Sequence, residues 1–340
     1  MHLLPQKRAG RIRLGILLLA LAALPASLHY CTSMPGESGQ GSSATLTGAE
    51  VAALGRMRRH VRVLSHAIGG RGTQRPEGLQ AAELYIQSVW EEQGYELRRQ
   101  TYEAKGVEVH NLEIEIKGHR TPQEILIVGA HYDSAHELPG ADDNASGVAA
   151  MLELSRRYAP SAGTPAPART LRFVAFTNEE PPHFQSDSMG SLVYAKRCRA
   201  RDENIVGMWS LESVGYFRKQ SGSQKYPWPL DLVYGDVGDF IAFVGDSSAR
   251  SFVHESIASF RQLSSFPSEG IAAPTLLQGI GWSDHWSFSE VGYPALMITD
   301  TAPFRNPNYH NHGDTLETLS YEEMSRLVTG LGRVLAELAQ

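Results

Sequence analysis

Two histidines and four acids lie close together in the segment AHYDSAHELPGADDNASG, residues 130–147. The segment follows EILIVG, an apolar run that predicts a buried strand. Carboxylates that gather at the end of a strand repel one another and lose hydration unless a cation compensates their charge. The composition of this segment therefore indicates a site that binds something positively charged.

Further acids and a further histidine follow in FTNEE, SLESVG and YHNHGDT. Histidine nitrogens and carboxylate oxygens are the donors that catalytic zinc takes, and two ions bridged by one carboxylate can clamp a tetrahedral intermediate. A bound divalent metal is the simplest compensation for so many acids. The chain offers the following donors: His131, Asp143, Glu180, Glu212 and His310.

Each of these motifs also has a structural interpretation when it is taken alone. Asp-Asn-Ala-Ser-Gly is a good helix start, with Asn144 or Ser146 as the cap. The pair Glu179-Glu180 is typical of an acidic loop, and most of the thirteen histidines must face solvent or serve the core. The ordered combination of the motifs is what favours a metal site.

Alternating strands and helices are predicted between these motifs. Apolar periodicity predicts helices over 49–68, 77–93, 146–159, 188–199, 248–261 and 320–339. Strands are predicted over 95–103, 107–117, 124–133, 170–177, 209–216, 231–235, 241–246 and 293–300. This order predicts a single α/β domain with a mixed, predominantly parallel sheet flanked by helices, and the candidate ligands collect at the carboxyl edge of that sheet.

Charge and composition exclude some classes of function. The 340-residue chain has a formal net charge of −6 and is 42% hydrophobic, which is enough for a large core. Beyond residue 34, 27 basic residues stand against 37 acidic ones, and there is no basic patch of the kind that nucleic acids need. We therefore expect no nucleic-acid partner.

The N-terminus is typical of a targeting segment. A basic stretch from Lys7 to Arg13 precedes the apolar run LGILLLALAAL, residues 14–24, and small residues follow it. We predict a signal peptide or uncleaved membrane anchor over 1–27, a flexible linker over 28–48 and the catalytic domain over 49–340. The expected location is extracytoplasmic, either secreted or periplasmic, with membrane contact only through this segment.

The ordered motifs resemble the di-zinc exopeptidase family that contains the secreted bacterial leucyl-type aminopeptidases. The resemblance covers about residues 60–330 and rests on AHYDS, GADDNASG, FTNEE, SLESVG, GWSDHWSF and NPNYHNHGDT. It implies a zinc-exopeptidase fold, two zinc ions per chain, and peptide or protein N-termini as substrates.

The resemblance also implies a role for each candidate residue. His131, Asp143 and Glu212 would hold the first metal, and Asp143 would bridge it to a second metal held by Glu180 and His310. Glu179 would be the general base, because a base that is also a ligand has its lone pairs occupied. Asp133 would orient His131, whereas Asp142 is expected to be a loop residue without a role.

One departure and two alternatives accompany this resemblance. Glu212 stands where the family usually has aspartate, which puts the occupancy of the first metal site in question. The alternatives are an acyltransferase with a single zinc, like the related glutaminyl cyclases, and a non-catalytic receptor-like domain of the same fold. The intact NASG segment favours the two-metal arrangement over the first, and the full set of ligands and Glu179 disfavours the second.

Overall fold

Eight strands form one sheet in the computed structural model, which describes residues 12, 24–42 and 44–340. Their order across the sheet is β1-β2-β4-β3-β5-β8-β6-β7. The bounds are β1 Arg98–Ala104, β2 Val107–Ile116, β3 Thr121–His131, β4 Arg169–Phe176, β5 Asn204–Glu212, β6 Ile241–Asp246, β7 Ser268–Ala273 and β8 Ala295–Thr299.

Helices cover both faces of this sheet. Their bounds are α1 Gly48–Val61, α2 Pro76–Glu92, α3 Gly147–Arg156, α4 Gly190–Ala200, α5 Arg250–Leu263, α6 His285–Glu290, α7 Ala302–Arg305 and α8 Tyr321–Leu338. A wider helical turn, Arg62–Ile68, continues α1, and short turns lie at Ala141–Ser146, Pro160–Ala162, Leu230–Leu232, Ser247–Ala249 and Leu316–Thr318.

The four central strands run parallel, so their carboxyl ends meet at one edge. β4, β3, β5 and β8 pair in parallel, β1 and β2 continue the sheet antiparallel on one side, and β6 is antiparallel to β8 on the other. The outermost strand, β7, is parallel to β6. Residues 125–131 and 170–176 are buried without interruption, as expected for strands covered on both faces. The predicted mixed α/β domain is confirmed.

Two apolar layers hold the helices against the sheet. On one face, side chains from α1, α2, α3, α5 and α8 form the larger core, which includes Met57, Leu152 and Leu331. On the other face, Tyr194 of α4 and Phe288 of α6 pack against Phe176 at the end of β4. Strand β4 is thereby fixed just before the acidic residues that follow it.

Two strand predictions differ from the structure. The predicted strand over 231–235 is wrong: this exposed stretch forms a turn around Leu230–Leu232, with no neighbouring strand to pair with in the described part of the chain. Strand β7 was not predicted, because SEGIAA has a single β-branched residue, Ile271, and no aromatic residue. Its parallel pairing with β6 holds the segment as a strand, although its composition does not favour one.

Part of the N-terminal prediction falls outside the described residues. Most of the apolar run 14–24 lies there, and residues 24–32 are helical. Within the described ranges, no helix has the length and apolarity that a membrane crossing requires. Within the predicted linker, Arg261 donates to the Pro35 and Gly36 carbonyls. The division at residues 27 and 48 stays a prediction.

His60 on α1 predicts a loss of stability in mild acid. The imidazole is buried, its Nδ1 lies 2.7 Å from the Tyr85 hydroxyl, and burial lowers its pKa to about 4. Glu153 nearby raises the pKa, and Arg56 and Arg59 lower it. The unfolded chain takes up this proton below pH 6.5 and the folded chain does not, so stability falls as the pH drops from about 6.5 to 4, by up to about 3 kcal/mol.

Urea unfolding of the His60→Phe variant between pH 4 and 7 checks this expectation. The variant should show a shallower dependence of the free energy of unfolding on pH than the parent. Replacement of the exposed His66, in the turn that continues α1, is the matched control and should leave the slope unchanged. Equal slopes for all three proteins would contradict the assignment.

Candidate metal centre

The ends of β3 and β5 bring the first group of candidate ligands together. Nε2 of His131 lies 3.1 Å from Glu212 Oε2 and 3.3 Å from Asp143 Oδ1. His131 is the last residue of β3 and Glu212 the last of β5, and these strands are paired neighbours in the sheet. All three residues are buried, and one donor atom from each lies within 4.8 Å of the others.

Asp143 also belongs to a second group. Its other oxygen, Oδ2, lies 3.0 Å from Nε2 of His310, and that nitrogen lies 3.2 Å from Glu180 Oε2. Glu180 follows β4, whereas His310 lies in the loop after α7 and is the most exposed of the candidate ligands. The two oxygens of Asp143 thus face two different groups of donors.

The extra methylene of Glu212 is accommodated by two serines. Ser283 donates to Glu212 Oε2 at 2.8 Å, and Ser213 donates to Oε1 at 3.1 Å. The Ser283 hydroxyl lies 2.8 Å from that of Ser210 on β5, so it is fixed against the sheet. Ser283 was not predicted as a site residue, although it lies in the motif GWSDHWSF.

Asp133 clamps the loop that carries both glutamates. Its Oδ1 accepts the Glu179 backbone N–H at 3.1 Å, and its Oδ2 accepts that of Glu180 at 3.0 Å. Oδ1 also lies 3.4 Å from Nδ1 of His131, but that nitrogen has no hydrogen-bond partner among the described residues. Asp133 therefore positions two successive residues of the centre, and its orientation of the imidazole stays a prediction.

A second aspartate clamps the bridging segment in the same way. Asp314 accepts the backbone N–H groups of Asp142 and Asp143, at 2.9 and 3.1 Å. It was not predicted, and its only signal in the sequence is its place in the motif NHGDT, four residues after His310.

Asp142 is not the loop residue that we expected. It is fully buried, its Oδ1 accepts the Gly215 N–H at 2.9 Å, and its Oδ2 accepts the Asn306 amide at 2.9 Å. It joins the bridging segment to the chain after β5 and to the loop before His310. No sequence pattern indicates these contacts, because both partners are distant in the chain.

Asn144 and Gly147 hold the bridging segment against β5. Asn144 donates to the Leu211 carbonyl at 2.8 Å, and its side-chain oxygen accepts the N–H groups of Gly147 and Ser213. A Cβ at Gly147 would lie 2.2 Å from that oxygen and 2.4 Å from the Leu211 carbonyl, so only glycine fits there. Asp143 is in this way kept beside Glu212.

Burial and mutual repulsion leave this centre in need of positive charge. Burial raises the pKa of Glu180 to about 8, and the neighbouring Asp143 carboxylate adds to the rise. Burial likewise raises the pKa of Glu212. Burial lowers the pKa of His310, but its contacts with Asp143 and Glu180 outweigh this and bring the value to about 10. Each shift has the direction that a site for cations produces.

The residues present fit a pair of zinc ions. Each group offers one histidine nitrogen and two carboxylate oxygens, which is a donor set of catalytic zinc and leaves a position for another ligand. Glu180 Oε1 is buried and has no hydrogen-bond partner among the described residues. Buried polar atoms without partners are costly, and a cation in this position would satisfy the atom.

Two histidines close to the motifs lie outside both groups. His183 uses its ring nitrogens on the hydroxyls of Thr73 and Ser188, and His285 lies 2.6 Å from the Ile280 carbonyl. These contacts already occupy three of their four ring nitrogens.

Arg71 stabilises the loop between His131 and Asp143 through hydrogen bonds to its backbone. Its guanidinium is completely buried and donates to five backbone carbonyls, those of Leu64, Gly69, Tyr132, Pro139 and Gly140. Burial lowers its pKa to about 10, against the opposing effect of nearby acids. Arg71 was not predicted, since nothing in GGRG indicates that its arginine is buried.

Replacement of Arg71 by methionine is expected to destabilise the fold severely. All five carbonyls would lose a donor, and those of Gly69, Tyr132 and Pro139 have no other backbone donor among the described residues. Each unsatisfied group costs about 1–3 kcal/mol, so the free energy of unfolding should fall by at least roughly 3 kcal/mol. Arg71→Lys is the matched control: it retains the charge but has only three donors, and it should lie between the variant and the parent. Denaturant unfolding measures the difference, and a loss below about 1 kcal/mol for methionine would contradict this role.

A cleft opens beside the first group of ligands. It is open to solvent and extends from Glu212 and Tyr309 to Glu269 on β7. Its walls are mostly apolar and include Tyr226, Phe240 and Trp282. An apolar lining with a few polar groups is typical of a site for a small ligand or a substrate side chain.

The chain belongs to peptidase family M28, whose model matches residues 111–334. It is 36% identical to the uncharacterized protein YfbL of Escherichia coli over 287 residues, which are 81% of this chain and 85% of that protein. It also matches fungal leucine aminopeptidases and spans little more than half of their length. The predicted family is confirmed, and with it a metallopeptidase fold of the aminopeptidase type.

Solved structures agree on the fold. The LapA aminopeptidase of Legionella pneumophila superposes with a TM-score of 0.65 at 17% identity, covering 88% of this chain and 77% of LapA. The glutaminyl cyclase of Fimbriiglobus ruber superposes with a TM-score of 0.62 at 20% identity, covering 88% of this chain and 97% of the cyclase. Because both kinds of enzyme share this fold, the choice between them depends on the residues of the centre.

Proposed function

We propose that the protein is a di-zinc aminopeptidase that hydrolyses the peptide bond after the N-terminal residue of its substrates. The observation that carries the proposal is the position of Asp143, whose two oxygens face His131 and His310 in separate groups. A centre for a single ion does not need a carboxylate shared in this way.

The proposed reaction assigns a separate task to Glu179. It belongs to neither group, although its Oε2 lies 3.8 Å from Nε2 of His131 at the edge of the centre. Its carboxylate is thus available to take a proton from the attacking water and to deliver it to the amine nitrogen as the C–N bond breaks. Two zinc ions held by His131, Asp143 and Glu212 and by Asp143, Glu180 and His310 would acidify water and stabilise negative charge on the carbonyl oxygen.

Neighbouring residues hold the proposed base and the candidate ligands in position. Asp133 fixes the backbone of Glu179 and Glu180, and Asp314 fixes that of Asp143. Proton transfer and metal binding both need donor atoms placed to within a fraction of an ångström. The two clamps supply that placement for Glu179, Glu180 and Asp143.

Turnover on matched substrates tests the proposal. Peptides with a free N-terminus should release their first residue, N-acetylated versions of the same peptides should not react, and a chelator should abolish release. A cyclisation assay on peptides with N-terminal glutamine runs in parallel. Ammonia release from those peptides without hydrolysis of the others would refute the aminopeptidase and favour a cyclase.

We also propose an extracytoplasmic location. The basic stretch from Lys7 to Arg13 and the apolar run 14–24 support it. Fractionation of cells that express the full chain tests it, and recovery of the protein with the cytoplasmic fraction alone would refute it.

A further inference from the structure

One row of paired residues crosses four strands beside the metal centre. Glu212 on β5 pairs with Thr299 on β8, Thr299 pairs with Ala242 on β6, and Ala242 pairs with Glu269 on β7. Residues paired in this way project their side chains from the same face of the sheet. Three strand spacings separate the Cα atoms of the two glutamates, which is about 14 Å.

The cleft follows this row from the centre outward. All four residues line it. Thr299 and Ala242, which lie between the two glutamates, have small side chains, so the cleft is deepest between its two ends. Tyr226, Leu230 and Phe240 form apolar walls around it. The result is a trough with the candidate metal ligand Glu212 at one end and a second carboxylate, Glu269, at the other.

The carboxylate of Glu269 is weakly partnered. Among the described residues its only recorded ion pair is with Arg261, at 3.9 Å, and its side chain is 39% exposed to solvent. Arg261 already donates to the carbonyls of Pro35, Gly36 and Ser268. The lone pairs of Glu269 therefore remain available to a donor that enters the cleft.

We propose that this cleft holds the side chain of the substrate's N-terminal residue, and that Glu269 selects a long cationic side chain, lysine or arginine. The proposal rests on the proposed aminopeptidase function, since the scissile bond must lie at the centre. The methylene stem would pack on the apolar walls while its charged head reaches the carboxylate.

Length and charge together favour this class of side chain. A lysine stem reaches roughly 6 Å from its Cα, and the Glu269 side chain covers part of the remaining span. Burial among apolar walls also raises the pKa of Glu269, and a cation would offset that unfavourable environment. Leucine and other short aliphatic side chains would leave the carboxylate with only its 3.9 Å contact to Arg261.

A comparison of lysine with norleucine isolates the charge. The two side chains have the same four-carbon stem, so the ratio of kcat/KM for lysyl and norleucyl p-nitroanilides reports the contribution of the ammonium group. We expect a ratio of about tenfold or more in the parent, the size of a hydrogen bond between charged groups. Glu269→Gln should abolish most of this preference, so that the ratio falls towards one.

The experiment has a matched control, and its outcomes separate the selection by Glu269 from the aminopeptidase function. Glu255→Gln removes an exposed carboxylate on α5 outside the cleft and should leave the ratio unchanged. A parent that prefers leucyl or phenylalanyl substrates, or a Glu269→Gln variant that loses both activities equally, would overturn the selection by Glu269 while the aminopeptidase stands. Failure to hydrolyse any substrate with a free N-terminus would refute the proposed function itself.

Discussion

Replacement of Glu179 by glutamine is expected to lower kcat/KM by about 10²–10⁴-fold, the usual contribution of a general base. The amide has nearly the same shape as the carboxylate but does not accept the proton of the attacking water. Because Glu179 lies outside both groups of candidate ligands, the metal content of the variant should equal that of the parent.

Glu180→Gln is the matched control for this prediction. It changes the next residue in the same way, but Glu180 faces His310 as a candidate ligand. Elemental analysis should therefore find less metal in this variant. Loss of metal from the Glu179 variant and retention in the Glu180 variant would mean that the roles of base and ligand are reversed.

Replacement of Asp143 by asparagine is expected to weaken metal binding at both groups. One oxygen becomes an amide nitrogen that repels a cation, and the charge shared between His131 and His310 is lost. Removal of one partner from a buried set of charges costs 3–5 kcal/mol in typical cases, so we expect affinity to fall by roughly 10²-fold or more. Equilibrium dialysis against zinc measures the change.

Asp142→Asn separates this effect from simple damage to the segment. Asp142 is equally buried and adjacent in the chain, but it accepts from Gly215 and Asn306 and belongs to neither group of ligands. Its variant should lose stability and retain its metal. Two tightly bound zinc ions in the Asp143 variant would contradict a bridging role.

The positions of three candidate ligands could be predicted from the sequence, because each lies at the end of a strand or just after it. His131 and Glu212 end parallel strands, and Glu180 follows another, so pattern and topology together placed them at one edge. Arg71 and Asp314 could not be predicted in this way. Their partners are backbone groups of distant segments, and composition does not reveal which backbone a side chain will meet.

The position of the Glu212 carboxylate could not be predicted from the sequence. Glu212 is one methylene longer than aspartate, and its carboxylate nevertheless lies 3.1 Å from His131. The hydroxyl of Ser283, 71 residues away in the chain, holds it there. Such compensation depends on the tertiary fold, as does the pairing that brings Glu269 into the same row of the sheet.

Titration of the metal-free protein with zinc tests the central claim most directly. Bound zinc and release of the N-terminal residue from a peptide are followed together as zinc is added. We predict that two equivalents bind tightly and that turnover saturates only when both are present. Full activity with one equivalent, or undiminished hydrolysis after complete removal of metal, would contradict a centre built on two ions that share Asp143.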